Sequence, residues 1–384
     1  MAKIFRIMFL GVIILTCAEE ELIPIQNTTR AIKDNGIYHL GDSKSDAFCD
    51  FKTLGNEQGC WNDDLTVFED CHYNLLFTRY GNGWTGSDAT YSVPLANGKI
   101  LWMFGDTFLG TVKADRTREP TGLLRNTLVL QEGDHLTTHF TGPSNNPRAF
   151  VSPQQADEWY WPLDATTYEN EIHWMLGRLG NTNEGGNWSF EYRGFDLAVM
   201  DLADLSIKSV ETKVDDPDIS YGSCLIEDDD YTYLYGISTR PLQKRAHIAR
   251  VEGRNLSKPW SFYNGTSWIE TPSSYVIANG VSDQFSVIKD GGIFYLITHE
   301  IIFGDRIFIA ESKSPTGPFL NRRILYCTPE TSGSIFTYNT FAHPELATEG
   351  ELRLSYNINS FNFPDLFTNA DLYRPKFIRI DHWK

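Results

Sequence analysis

Residues 84–108 read WTGSDATYSVPLANGKILWMFGDTF. Two runs rich in β-branched and aromatic residues flank Asn97-Gly98, the pattern of a β-hairpin. The second run, KILWMFGD from Lys99, returns in altered form as EIHWMLGR from Glu171, YTYLYGIS from Tyr231, GIFYLITH from Gly292 and ELRLSYNI from Glu351. The starts lie 72, 60, 61 and 59 residues apart. Each run follows a turn or a charged loop, and before each turn sits another strand-like run. Five hairpins at this period leave room for two more strands per repeat. Four-stranded repeats that close radially hide their sheet edges. The expected fold is therefore all-β, a five-bladed β-propeller with four-stranded antiparallel blades.

The chain of 384 residues is 41% hydrophobic and 14% aromatic, ample for a folded core. Fifty acidic residues against 33 basic ones give a net charge of −17. A field of that sign repels nucleic acid and anionic membrane surfaces but tolerates a neutral ligand such as a sugar. The N-terminus places Lys3 and Arg6 before an apolar run and then Cys17. It reads as an export signal, too short to be a flanked spanning helix. Ile14-Leu15-Thr16-Cys17 resembles a lipobox, with cleavage before a lipidated Cys17; ordinary secretory cleavage a few residues later is the alternative. The acidic AEEEL that follows resembles surface-export signals of Bacteroidetes lipoproteins. The expectation is an exported protein, lipid-anchored at the outer membrane or surface of a Gram-negative bacterium. Residues 1–17 are then signal, 18–75 an N-terminal linker or loop segment, and 76–384 the propeller. The N-terminal part is also a candidate to supply a strand that closes the last blade, together with RPKFIRIDHW near the C-terminus. Five cysteines remain after Cys17, an odd number. The spacing of Cys49, Cys60 and Cys71 suggests one local disulfide.

Propeller geometry locates the chemistry. In each blade the start of the first strand and the end of the second lie on one face. First-strand starts carry Asp88, Asp164, Ser223, Asp283 and His343; second-strand ends carry Asp106, Arg178, Ser238, His299 and Asn357. Such a mouth is a polar pocket, and Trp84, Trp161, Tyr91 and Tyr221 are candidate stacking platforms for sugar rings. Taken singly, these polar residues also suit strand ends and structural hydrogen-bond hubs, His343 and Arg178 above all.

Asp88 and Asp106 stand out as a pair. With a two-residue turn at Asn97-Gly98, paired positions sum to 195, and Asp88 lies opposite Thr107. Asp106 is then one step away and on the other face, unless Gly105 relaxes the backbone enough to re-aim it. Two converging carboxylates equip a site for glycoside hydrolysis. One, protonated, gives its proton to the leaving oxygen, while the other, ionised, attacks carbon or activates water. Which aspartate takes which role, and whether configuration is retained or inverted, stays open at this level. The sequence has no P-loop, HExxH or GxSxG pattern, and no GxGxxG that follows a strand.

The stretch GWTGSDATYSVPLANGKILWMFGDTFLG resembles the opening blade of a group of bacterial five-bladed propellers long called domains of unknown function. That group includes glycoside hydrolase family 183, the endo-D-arabinanases. The likeness continues through LLRNTLV, WYWPLDAT, ISYGSCLIEDDDYTYLYG, NTFAHPEL and LSYNIN, covering most of residues 80–378. It implies Asp88 and Asp106 as the catalytic carboxylates. More distantly the chain is similar to the arabinanase propellers of glycoside hydrolase family 43. Asp88 and Asp164 fit that family's acids in blades one and two, but SYGSCLI in blade three offers no Glu. By the same likeness His343 is a candidate ligand for a central cation or water.

The expected function is hydrolysis of a furanose polysaccharide, D-arabinan first, by endo action. Asp88 and Asp106 are catalytic, and Trp84, Trp161, Asp164, Arg178, Asp283, His299, His343 and Asn357 bind substrate. No cofactor is called for beyond room for a central structural cation, and the protein is expected to be a monomer. The alternatives are a non-catalytic glycan-binding surface lipoprotein and an exo-acting arabinofuranosidase-type hydrolase.

Overall fold

A computed structural model describes residues 52–56, 59–62, 64–182, 189–214, 218–238 and 244–384. Cys17 and the export segment lie outside them. The fold is an all-β, five-bladed propeller built from antiparallel sheets. Blade one pairs Tyr91–Pro94, Ile100–Phe104, Thr127–Glu132 and His135–His139 in that order. Blade two runs Glu158–Tyr168, Glu171–Asn181, Phe190–Asp201 and Ile207–Thr212. Blade three runs Ile219–Asp228, Tyr231–Ser238, Arg245–Glu252 and Ser261–Tyr263, with Trp268–Ile269 as an additional short strand. Blade four runs Phe285–Asp290, Ile293–His299, Arg306–Ser312 and Leu320–Cys327.

Blade five begins with Ile335–Ala342, Glu351–Ser360 and Pro375–Asp381. Its fourth strand is Thr66–Glu69, which pairs antiparallel with the C-terminal strand from Glu69↔Ile378 to Thr66↔Asp381. Thr53–Leu54 adds to that edge. The two ends of the propeller thus share one sheet, which removes an edge that would otherwise stay open.

The chain divides into two compact units. One comprises residues 152–303 and 307–323. The other includes residues up to Val151, Gly304–Arg306 and Ile324–Lys384. In the second unit the core is aromatic. Phe77 stacks on Phe377 at 5.5 Å and meets Trp102 and Trp84 edge-on at 5.0 and 5.3 Å. In the first unit, Phe195, Tyr221, Trp260 and Phe262 pack with Leu163 and Met175.

The expected local disulfide among Cys49, Cys60 and Cys71 involves a residue outside those described; Cys60 itself bonds Cys327, 267 residues away. Cys71 is disulfide-bonded too, to a partner outside the described residues, and Cys224 is a buried free thiol. The sequence spacing could not reveal a bond that needs the chain ends brought together. A cross-link closing so long a loop restricts the unfolded chain strongly. Replacing both Cys60 and Cys327 by Ser is expected to cost about 3–5 kcal/mol. A urea unfolding midpoint unchanged from wild type would refute that role.

Candidate active site

The hairpin register decides how the two aspartates meet. Tyr91 pairs with Met103 and Pro94 with Ile100, so paired positions sum to 194. The turn is a three-residue 3-10 turn over Ala96–Gly98, closed by Leu95 N–H donating to the Lys99 carbonyl at 2.8 Å. The two-residue turn expected from Asn97-Gly98 does not form. The same sum holds on the far side, where Ser87 pairs with Thr107 and Gly86 with Phe108. Asp88 and Asp106 fall between these two ladders, where the pairing is interrupted, and Asp106 is close enough for its charge to act on Asp88.

Gly105 is not among the glycines with positive φ. The unusual backbone is at Ala89, with φ of 55°. Ala89 interrupts the strand directly after Asp88, while the Asp88 carbonyl still accepts from Gly105 N–H at 2.9 Å. A non-glycine residue in the left-handed region costs roughly 1 kcal/mol or more, and such positions recur at functional sites.

Both carboxyl groups are completely buried, at 0% exposure, and their surroundings differ. Tyr338 donates its hydroxyl proton to Asp88 Oδ2 at 2.6 Å. Asn359 Nδ2 donates in turn to the Tyr338 hydroxyl at 3.1 Å. Asp88 Oδ1 and the Tyr373 hydroxyl are buried without a hydrogen bond of normal geometry among the described residues, yet the Tyr373 hydroxyl is near enough to favour the ionised Asp88. Burial, then the facing Asp106, push the Asp88 carboxyl well above the usual carboxylate range; Tyr338 and Tyr373 oppose that shift. Asp106 is also raised by burial, but Arg125 pulls it back down. Arg125 Nη1 donates to both Asp106 oxygens at 3.3 Å, and its side chain is 27% exposed. It is the partly open edge of an otherwise buried cluster. The pair is thus asymmetric, with Asp88 the carboxyl pushed up further and Asp106 the one beside a cation.

Each partner is placed by local structure. Leu124 and Thr107 exchange backbone hydrogen bonds of 2.7 and 3.0 Å, which lays the segment carrying Arg125 beside Asp106. Tyr338 and Asn359 stand on the first two strands of blade five. Tyr373 ends the short turn Ala370–Tyr373, which approaches Gly86 closely. A Cβ on Gly86 would come within 2.4 Å of the Tyr373 carbonyl oxygen and 3.0 Å of Arg118 Nη2. Gly86→Ala is expected to cost about 1–3 kcal/mol, because backbone must move. Wild-type stability in that variant would show that the contact is not limiting.

Of the expected substrate contacts in this unit, only Asn357 adjoins the pair. It lies opposite Tyr338 in the strand register and donates to Thr90 Oγ1 at 3.0 Å. The other two are corrected. His343 is a buried hub whose Nδ1 and Nε2 meet the hydroxyls of Ser92 and Ser355 at 2.6 and 2.7 Å. Its ring packs at 5.4 Å from Trp102 and 5.5 Å from Phe377. With both nitrogens engaged it is no ready ligand for a cation. Trp84 belongs to the aromatic core and donates Nε1–H to Ser87 Oγ at 2.7 Å, so it offers no face to a sugar.

The remaining candidates belong to the other unit. Asp164 accepts from the backbone N–H of Ala165 at 2.8 Å and of Leu225 at 2.7 Å, tying blade two to blade three. Arg178 lies between Glu158 and Asp196 at 3.6 and 3.5 Å. Asp283 forms an ion pair with Lys244. Trp161, His299 and the other proposed platform Tyr221 are buried, and so is Tyr91 of the second unit. Among the described residues no group of three or more His, Cys, Asp or Glu is arranged to hold a metal ion. No helix among them is long and apolar enough to cross a membrane.

Arg125, Tyr338, Tyr373 and Asn359 were not singled out by sequence reasoning. Arg125 does lie in the LLRNTLV run, but nothing in that run marks it as a partner of Asp106.

A family model described as Domain of unknown function (DUF5005) matches residues 70–383. Among solved structures, a candidate hydrolase from Bacteroides ovatus ATCC 8483 is 26% identical, with a TM-score of 0.74. That match covers 87% of this chain and 94% of the other. The GH43_1 enzyme from Xanthomonas citri, complexed with xylose, is 15% identical at a TM-score of 0.45, over 79% of this chain and 88% of that one. The α-L-arabinofuranosidase CtGH43 from Clostridium thermocellum is 12% identical at 0.44, over 76% and 88%. No curated protein matches the chain.

Proposed function

We propose a glycoside hydrolase activity for this chain, which belongs to the DUF5005 family. The observation that carries the reading is the buried, interacting pair Asp88 and Asp106, with a tyrosine on one carboxyl and an arginine on the other. In the proposed reaction the bond from the anomeric carbon to the leaving oxygen breaks, and its electron pair stays with that oxygen. Asp88 supplies the proton the oxygen takes up. Asp106, held ionised by Arg125, either bonds to the anomeric carbon or takes a proton from the attacking water. The B. ovatus structure, described as a candidate hydrolase, supports the general class.

The finer assignment is a furanose polysaccharide, D-arabinan first, cut internally. It rests on the first-blade motif and on the positions of Asp88 and Asp106 within it. Incubating the protein with D-arabinan, L-arabinan and galactan and sizing the products tests it. A ladder from D-arabinan supports endo action, monomer alone supports an exo-hydrolase, and no cleavage of D-arabinan refutes the substrate. We further propose export with a lipid anchor at Cys17 at the surface of a Gram-negative bacterium. Metabolic labelling with a fatty acid, lost in Cys17→Ala, is the expected result there.

One observation favours a second reading. Neither aspartate is exposed to solvent. A glycan-binding protein without activity accommodates a sealed pair more simply than a hydrolase does. Binding of D-arabinan without any cleavage, in wild type and Asp88→Asn alike, would select it.

A further inference from the structure

The two oxygens of Asp88 are not equivalent. Oδ2 accepts the Tyr338 proton, whereas Oδ1 is buried with no hydrogen-bond partner among the described residues. Tyr338 has a single hydroxyl proton, and its oxygen is already accepting from Asn359. An amide NH₂ only donates, so the direction of the chain is fixed from Asn359 to Tyr338 to Oδ2. A protonated Asp88 then carries its own proton on Oδ1, because a proton on Oδ2 would meet the tyrosine proton head-on. The Tyr373 hydroxyl, likewise buried and unpaired, lies close enough to Asp88 to act on its ionisation.

We propose that Tyr338, held by Asn359, is a positioning residue that confines the Asp88 proton to Oδ1, and that Oδ1 and the Tyr373 hydroxyl together receive the departing oxygen. The second half of this proposal rests on the hydrolase reading; the first half, the proton's location, does not. The groups facing Asp88 are Asp106, with Arg125 behind it, and the hydroxyls of Tyr338 and Tyr373. Donation from Tyr338 favours the ionised carboxyl, so its loss moves Asp88 further up.

The test compares wild type, Tyr338→Phe, Asn359→Ala and the double variant, with Asp88→Asn as control. Two readouts are used. The first is the carboxyl titration of Asp88 in protein labelled with ¹³C-aspartate, its signal assigned by its disappearance in Asp88→Asn. Tyr338→Phe is expected to raise the Asp88 midpoint, Asn359→Ala to raise it less, and the double variant to match Tyr338→Phe. An unchanged midpoint in Tyr338→Phe, or additive shifts, overturns the relay whether or not the protein is an enzyme. The second readout is the pH–rate profile on D-arabinan. The descending, alkaline limb is expected to move to higher pH in Tyr338→Phe, with kcat reduced roughly 10- to 100-fold and KM little changed. Tyr373→Phe is expected to lower kcat and also to raise the Asp88 midpoint, because the Tyr373 hydroxyl opposes the upward shift. Full activity in Tyr373→Phe overturns its role at the leaving oxygen. Cleavage by Asp88→Asn at the wild-type rate would refute Asp88 as the acid, and no cleavage by wild type would refute the hydrolase reading itself, with the titration still deciding the relay.

Discussion

Asp88→Asn is expected to abolish hydrolysis and to make the protein more stable. The first effect follows from losing the proton donor, a loss on the order of 10²–10⁴-fold or more in rate. The second follows from linkage. Asp88 has a folded-state pKa raised well above its usual value by burial and by Asp106. The folded protein therefore binds a proton that the unfolded chain, with an ordinary carboxyl near 3.9, gives up. For an acid shifted upward, stability is highest below the unfolded pKa and falls as pH rises toward the folded one. Asparagine never ionises, keeps an oxygen for Tyr338, and so escapes that loss. The gain should be about 2 kcal/mol near pH 7, of the size seen when a strained functional group is replaced. It should shrink toward zero as pH falls below about 4. Unfolding midpoints of both proteins at pH 3.5 and pH 7 measure it. If Asp88 were simply a structural hydrogen-bond acceptor, the variant would be equal or less stable at both.

Arg125→Met acts on the other carboxyl, with the opposite sense for stability. Arg125 is the charge that offsets the burial of Asp106. Without it Asp106 rises further, so its ionised fraction at any pH is smaller. The acidic limb of the pH–rate profile, which follows ionisation of the base or nucleophile, should move to higher pH. Stability should also suffer, because removing one partner strands a buried charge; about 3 kcal/mol is the scale for such a loss. The sign again follows from an upward-shifted carboxyl. The deficit is small below the unfolded pKa and grows as pH rises. Arg125→Lys keeps the charge, though not the two contacts from one nitrogen, and should recover most of the stability. An acidic limb that stays where it is in Arg125→Met would separate Arg125 from the chemistry.

Much of this was legible in the residue order. The recurrence of KILWMFGD-like runs gave the blades, since aromatic, β-branched stretches between turns have few other ways to bury both faces. The spacing from Asp88 to Asp106 around one turn marked the pair. What failed was finer. Asn97-Gly98 suits a two-residue turn, yet the chain forms a three-residue 3-10 turn, and the register moves by one. That single step changes which face a strand residue takes, and Asp106 ends close enough to Asp88 for its charge to act on it. His343 and Trp84 look like mouth residues in a linear reading, but their polar atoms are used by Ser92, Ser355 and Ser87. A polar residue at a strand end says nothing about whether a hydroxyl from another strand will reach it.

The sequence alone determined the repeat and the five-bladed fold and marked Asp88 and Asp106 as a pair, because hydrophobic periodicity and turn chemistry are local. Only the tertiary structure decided the environment of each carboxyl. Tyr338 reaches Asp88 across 250 positions, and Cys60 reaches Cys327 across 267. The difference between a carboxyl that keeps its proton and one that loses it comes from burial and from nearby charge. Both depend on distances in space that a spacing along the chain does not encode.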